Sequence, residues 1–210
     1  MSLIVFDTET TAPSPGQICQ LSYLVIDGRR ATGKNYFFTV DEMTPRAQAV
    51  HGLSPEALKA LSGGLRFADR ARDILSDFAA CDALAGHGAA FDDLFLRAEL
   101  ARCGLALGEK PLFCTRDFYV RLTREKYGRR VGWPSLSRLA EAYGLAPDTI
   151  ASRAEAWFGG GAAAHDARYD AAAAWLVTCA AMERGELDMN LIAPGIIGAP
   201  AGHAEAGGAS

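Results

Sequence analysis

Residues 3–6 (LIVF) form an unbroken apolar run of strand formers that stops at the acidic pair Asp7 and Glu9. Such a run suits a central strand buried on both faces. Residues 18–26 alternate loosely up to Asp27-Gly28, a hairpin signal, and residues 34–40, with Tyr36, Phe37 and Phe38, resume strand character. An antiparallel meander of three strands is predicted.

Helical spacing then takes over. Ser54-Pro55-Glu56 reads as an N-cap followed by proline at the first helical position, and Phe67, Ala71, Ile74, Leu75 and Phe78 make an apolar stripe. Residues 83–86 are a short apolar fourth strand. Phe91, Leu94, Phe95 and Ala98 open another amphipathic helix, and residues 112–114 make a fifth strand. Helices are predicted over 115–124, 135–143, 147–157 and 167–184, the last rich in alanine. Trp157, Phe158 and Trp175 fall on helix faces that suit the core. Beyond Gly185 the periodicity fades into Gly, Ala and Pro, which predicts one domain over 1–184 and a flexible tail over 185–210.

Composition narrows the class. The chain has 210 residues, half of them hydrophobic, enough for one well-buried domain. A formal charge of -4 argues against a protein that wraps nucleic acid nonspecifically, although a site built of carboxylates contributes to that acidity itself. Cys19, Cys81, Cys103, Cys114 and Cys179 are scattered and include no CxxC pair, so buried free thiols in a reducing compartment are expected. No segment approaches the roughly 20 apolar residues of a membrane span, and a cytoplasmic protein without a membrane partner is expected.

The acidic residues carry the candidate chemistry. On a strand, residues two apart share a face, so Asp7 and Glu9 can present both carboxylates to one side of the strand end. Two such carboxylates repel unless a cation lies between them. Asp92 follows the fourth strand, at the kind of position where loops after parallel strands build sites. For Asp92 to reach Asp7, the fourth strand must lie beside the first and parallel to it, which predicts a mixed sheet of order 3-2-1-4-5 in an α/β fold. His165 and Asp170 would stand about 140° apart on one continuous helix. Three glycines at 159–161 and a helix cap at Asp166 resolve the conflict by leaving His165 outside the helix and Asp170 in its first turns.

Each motif alone fits a solvated strand edge, a helix N-terminus or a loop histidine. Together, four carboxylates and a histidine on converging elements can hold two Mg²⁺ or Mn²⁺ ions about 4 Å apart, with His165 as general base. Hard oxygen ligands without thiolates favour those metals over zinc.

These residues resemble the motifs of the DEDDh, or DnaQ-like, exonucleases: DxE as FDTETT, a variant of HNxxFD as HGAAFD, and HxAxxD as HDARYD. The resemblance covers residues 3–183 and implies a ribonuclease H-like fold and 3′-to-5′ removal of nucleotides from nucleic acid with a free 3′ end. It implies that Asp7, Glu9, Asp92 and Asp170 serve two metals, that His165 is the base, and that Thr10, His51 and Phe91 bind the terminal nucleotide. One departure stands out: Gly88 takes the place of the usual asparagine. Single-stranded or frayed DNA is the expected substrate. RNA, a short-nucleotide phosphodiesterase, and a proofreading-like module that mainly binds a polymerase partner are the alternatives.

Two further features extend the reading. Between Arg116 and Arg130 six basic residues face two acidic ones, with Tyr127 and Trp133 alongside, which fits a single-strand track or, equally, a solvated helix face followed by a loop. In the tail, Leu191, Ile192, Ile196 and Ile197 could dock on a replication or repair protein.

Overall fold

The computed structural model describes residues 2–14, 16–28 and 30–192. Five strands, β1 (Ser2–Thr10), β2 (Ile18–Asp27), β3 (Arg30–Phe37), β4 (Ala83–Gly86) and β5 (Leu112–Cys114), make one mixed sheet of order β3-β2-β1-β4-β5. β1 pairs antiparallel with β2 and parallel with β4, so the predicted order holds.

β1 sorts its side chains by parity, as a strand must. Leu3 and Val5 pack in a core with Ala172, Ala173 and Val177 of helix α8 (Ala167–Glu183). Ile4 and Phe6 face the other way, into a core with Ile74 and Phe78 of α3 (Phe67–Ala80) and Phe95 of α4 (Ala90–Arg102). Phe78 meets Phe6 edge-on at 5.3 Å. Helices therefore cover both faces of β1, and small alanines let α8 lie close to the strand that carries Asp7 and Glu9.

The hairpin falls at Asp27-Gly28, where Gly28 takes φ 57° and Asp27 pairs directly with Arg30. β3 consequently begins at Arg30 rather than at Lys34. Its polar first half lacks apolar alternation, and pairing with β2 holds it in the sheet. The strand ends at Phe37 rather than Val40, because Thr39 N–H turns away to bond the Leu65 carbonyl.

Ser54 caps α2 (Pro55–Ser62) as expected. The same signature, Thr44-Pro45, starts α1 (Pro45–His51), a helix that periodicity did not announce because it buries none of its residues fully. The remaining helices, α5 (Thr115–Tyr127), α6 (Leu136–Ala142) and α7 (Pro147–Phe158), lie close to their predicted spans. Trp157, Phe158 and Trp175 pack against the α8-side core. All five cysteines are free, with Cys19 and Cys81 buried and the other three partly exposed. Among the described residues no helix is long and apolar enough to cross a membrane.

Packing continues past the expected end of the domain at 184. Leu187 and Ile192 are buried in the α8-side core, the latter on a short helix α9 (Met189–Ile192). Glu186 accepts hydrogen bonds from Lys126 Nζ and from the Tyr143 hydroxyl, both at 3.0 Å. Only four apolar residues, at 187, 189, 191 and 192, precede the Gly/Ala/Pro-rich run, too short a stretch to show helical periodicity, so the packing extends past the span that periodicity marks. Ile192 is thus core rather than a docking residue; Ile196, Ile197 and the side chain of Leu191 lie outside the described residues. Truncation after Gly185 is expected to lower stability by at least about 3 kcal/mol, since each buried Leu or Ile contributes roughly 1.5–3 kcal/mol. Urea unfolding of the truncated and full chains measures this, and equal midpoints would contradict the packing.

Candidate active site

The strand parity of β1 runs into the site. Asp7 and Glu9 extend the row of Leu3 and Val5 on the α8 face, where Asp170 stands in the first turn of α8. Asp7, Glu9 and Asp170 each offer a carboxylate oxygen within 4.8 Å of the other two. Thr8 continues the opposite row, toward α4, and there it meets Asp92. Asp92 Oδ1 accepts from the Thr8 N–H at 3.0 Å and from the Thr8 hydroxyl at 2.6 Å. Asp92 is only 4% exposed and lies outside the tight group of three. It nevertheless lines the same 350 Å³ cleft as Asp7, Glu9, His165 and Asp170.

Asp166 caps α8 with its side chain, accepting from the Arg168 N–H at 3.0 Å. This stops the helix one residue after His165, which adopts φ 65°. A left-handed backbone on a non-glycine residue costs on the order of 1–3 kcal/mol and persists where its surroundings enforce it. The enforcement is visible: Arg168 Nη2 holds Asp166 Oδ2 at 2.6 Å, and Gln20 Nε2, from β2, donates to Asp166 Oδ1 at 2.9 Å. His165 is thereby turned out of the helix and over the cleft that Asp170 lines. Gln20, Thr8 and Arg168 were not singled out from the sequence. The one signal in the sequence is a polar glutamine between Cys19 and Leu21 in a strand run, and the structure buries it.

The electrostatics follow from burial. Burial pushes the Asp7 carboxyl well above the ordinary range, and Asp92, Asp170, Glu9 and Asp166 push it further. Glu9 is raised to about 9, by burial first and then by Asp170, Asp92 and Asp166. Asp92 is raised to about 7, burial outweighing the Thr8 hydrogen bonds, and Asp170 to about 6, burial outweighing the charge of nearby His165. Asp166 goes the other way: burial raises it, but Arg168 and Gln20 more than compensate. Side chains that repel this strongly, with oxygen donors only, fit a hard divalent cation.

A second, 200 Å³ pocket shares Thr8, Glu9 and Phe91 with the cleft and adds Thr10, Arg46, Val50 and His51. The Thr10 hydroxyl donates to the Ala12 carbonyl at 3.1 Å. His51 Nδ1 accepts from the Leu53 N–H at 3.1 Å, and Nε2 lies 4.0 Å from Cys19 Sγ. Burial lowers the His51 pKa, against a hydrogen bond with the Thr10 backbone that raises it. His51 thus lines the pocket with Nδ1 engaged by Leu53 and Nε2 close to buried Cys19. Phe91 is exposed at the mouth, its ring 4.6 Å from Phe95. All eight residues anticipated from the sequence therefore gather around two adjoining pockets.

The basic stretch does not stay together. Arg116, at the start of α5, lines the cleft, whereas Arg129 lines another cleft with Tyr127 and Arg184 past the far end of the helix, roughly 20 Å away at 1.5 Å per residue. Lys126 is paired with Glu186.

Comparison with known proteins agrees with this geometry. The family model described as "Exonuclease" matches residues 4–178. Exonuclease I from Methylocaldum szegediense superposes with a TM-score of 0.67 at 22% identity, covering 87% of this chain and 40% of that one. Escherichia coli exonuclease I bound to a dT13 oligonucleotide gives 0.66 at 18% identity, covering 88% and 41%, and its dA16 complex gives 0.68 at 18%, covering 87% and 41%. The chain thus spans about two fifths of those proteins. No curated protein sequence matches significantly. The family-model match over residues 4–178 establishes that the chain belongs to the exonuclease family.

Proposed function

We propose that the protein removes nucleotides from the 3′ end of single-stranded or frayed DNA, using two Mg²⁺ or Mn²⁺ ions. The observation that carries this reading is the group of Asp7, Glu9 and Asp170, whose carboxylate oxygens lie within 4.8 Å of one another beneath His165. Asp92 would complete the set with the oxygen that Thr8 leaves free. Divalent ions bound there would polarise the phosphate and lower the pKa of water.

The chain's own residues divide the remaining work. An imidazole nitrogen of His165 takes the proton of the attacking water, and the left-handed turn keeps the ring clear of the helix for that purpose. Thr10, His51 and Phe91 wall the pocket for the terminal nucleoside, with Phe91 as the face on which a base can stack. The exonuclease I complexes with dT13 and dA16 support DNA as the polymer. Five free thiols suit a reducing, cytoplasmic setting.

The test is a matched pair of 5′-labelled DNA and RNA oligomers, each with a free and a blocked 3′ end, incubated with Mg²⁺ or Mn²⁺. Laddering of unblocked DNA from its 3′ end is expected. Intact DNA, or cleavage indifferent to the block, would overturn the reading, and faster loss of RNA would make the protein an exoribonuclease. His165→Ala is expected to slow the chemical step by about 10²–10⁴-fold, the usual worth of a positioned general base. Single-turnover rates measure it, and a loss below ten-fold would remove His165 from that role.

A further inference from the structure

Arg116 is the one guanidinium among the described residues that line the carboxylate cleft. Parallel pairing of β5 with β4 sets Cys114 opposite Gly86, so the first turn of α5 arrives beside His87 and Gly88. Gly88, at φ 77°, has no side chain, and a Cβ built there would lie 3.5 Å from Arg116 Nη1. Position 88 is where the family resemblance leads one to expect asparagine. In this chain the guanidinium occupies the neighbourhood that such a side chain would enter.

Arg116 is not the counter-ion of the acidic group. Among the described residues its ion pair is with Asp117, at 3.4 Å, with the aspartate well exposed and the arginine partly buried, and not with Asp7, Glu9, Asp92 or Asp170. A pair of that kind is weak and readily exchanged for another anion. What fixes the guanidinium is the Trp133 ring, whose centroid lies 4.3 Å from its central carbon. Trp133 is 72% exposed, yet its place is defined. The next residue, Pro134, offers its carbonyl to His87 Nε2 at 3.2 Å, and His87 Nδ1 pairs with the Thr115 hydroxyl at 3.0 Å. A partly buried histidine thus ties the tryptophan loop to the start of the arginine's own helix.

The order of these features along the surface matters. The nucleoside pocket and the cleft share Thr8, Glu9 and Phe91, while Arg116 belongs to the cleft alone. A strand whose last nucleoside fills the pocket and whose final phosphodiester lies at the carboxylates continues toward Arg116 and then Trp133. We propose that Arg116 and Trp133 form the subsite for the nucleotide upstream of the cleaved bond, the guanidinium holding the first phosphodiester that is not cut and the indole stacking its base. This rests on the exonuclease reading above.

Two substrates separate the roles. Thymidine 5′-p-nitrophenyl phosphate carries only the scissile phosphate, whereas a single-stranded oligonucleotide also carries its upstream neighbour. Arg116→Gln and Trp133→Ala are each expected to raise KM for the oligonucleotide about ten-fold while kcat changes little. Hydrolysis of the chromogenic ester is expected to stay within about two-fold of wild type. A neutral methylphosphonate at the first upstream linkage is expected to weaken the wild-type protein as much as Arg116→Gln does, and to weaken Arg116→Gln no further. Should Arg116→Gln unfold, Arg116→Lys, which keeps the charge but loses the planar fork, is expected to give an intermediate KM. Equal losses on both substrates, or none on the oligonucleotide, would overturn the subsite. A wild-type protein that cleaves neither substrate would instead overturn the exonuclease reading itself.

Discussion

Asp7→Asn is expected to lower the rate of nucleotide release by about a thousand-fold or more while raising the thermal stability of the metal-free protein. The two signs come from one cause. Asp7 sits where burial and four neighbouring acids disfavour its charge, so a neutral isostere relieves repulsion in the folded state. The same substitution removes a ligand from the group of three, and metal assistance worth several kcal/mol corresponds to about three decades in rate at roughly 1.4 kcal/mol per decade. Thermal unfolding in chelator and single-turnover hydrolysis with Mn²⁺ read the two effects separately. Loss of both stability and activity would mean that Asp7 is a structural residue.

The second large effect is a coupling between pH and metal. In the folded state Glu9 is raised to about 9, Asp92 to about 7 and Asp170 to about 6, with Asp7 raised as well. Below about pH 4 these groups are protonated whether the chain is folded or not, and they cost nothing. From about pH 4 up to about 6 for Asp170, 7 for Asp92 and 9 for Glu9, the unfolded chain has already released protons that the folded state still holds. Stability must fall over that window. His51 and His87, both lowered chiefly by burial, act in the opposite sense near pH 6, so the metal-induced difference is the cleaner readout. A divalent cation competes with the retained protons. Mn²⁺ is therefore expected to raise the unfolding temperature more at pH 8 than at pH 6, and Asp7→Asn to flatten that dependence. A shift of the same size at both pH values would place the bound metal away from these carboxylates.

Local pattern carried much of the fold, and the reasons it failed elsewhere are physical. The apolar run before Asp7 marked a doubly covered strand, and the need to bring Asp92 to that strand led to the sheet order now seen. The glycines before His165 and the cap at Asp166 pointed to a histidine outside α8, because capping is written in adjacent residues. By contrast, β3 begins with residues whose strand character exists only through pairing with β2. α1 hid because it buries no side chain fully, although Thr44-Pro45 carried the cap signature of α2. Asp92 lines the same cleft as the other three acids but stands apart from their tight group. Strand parity assigns Thr8 to the α4 side, where it engages Asp92 by two hydrogen bonds. The line from His87 through Pro134 and Trp133 to Arg116 joins residues up to 47 positions apart, which no local spacing can report.

Asp7, Glu9 and Asp170, with Asp92 lining the same cleft, are expected to make one cation site beside His165. An anomalous difference map at the manganese edge, from crystals grown with Mn²⁺ and thymidine 5′-monophosphate, tests it directly. Peaks within bonding distance of Asp7, Glu9 and Asp170, absent in Asp7→Asn crystals, are expected; manganese bound only elsewhere on the protein, with this cleft holding water alone, would contradict a cation site here.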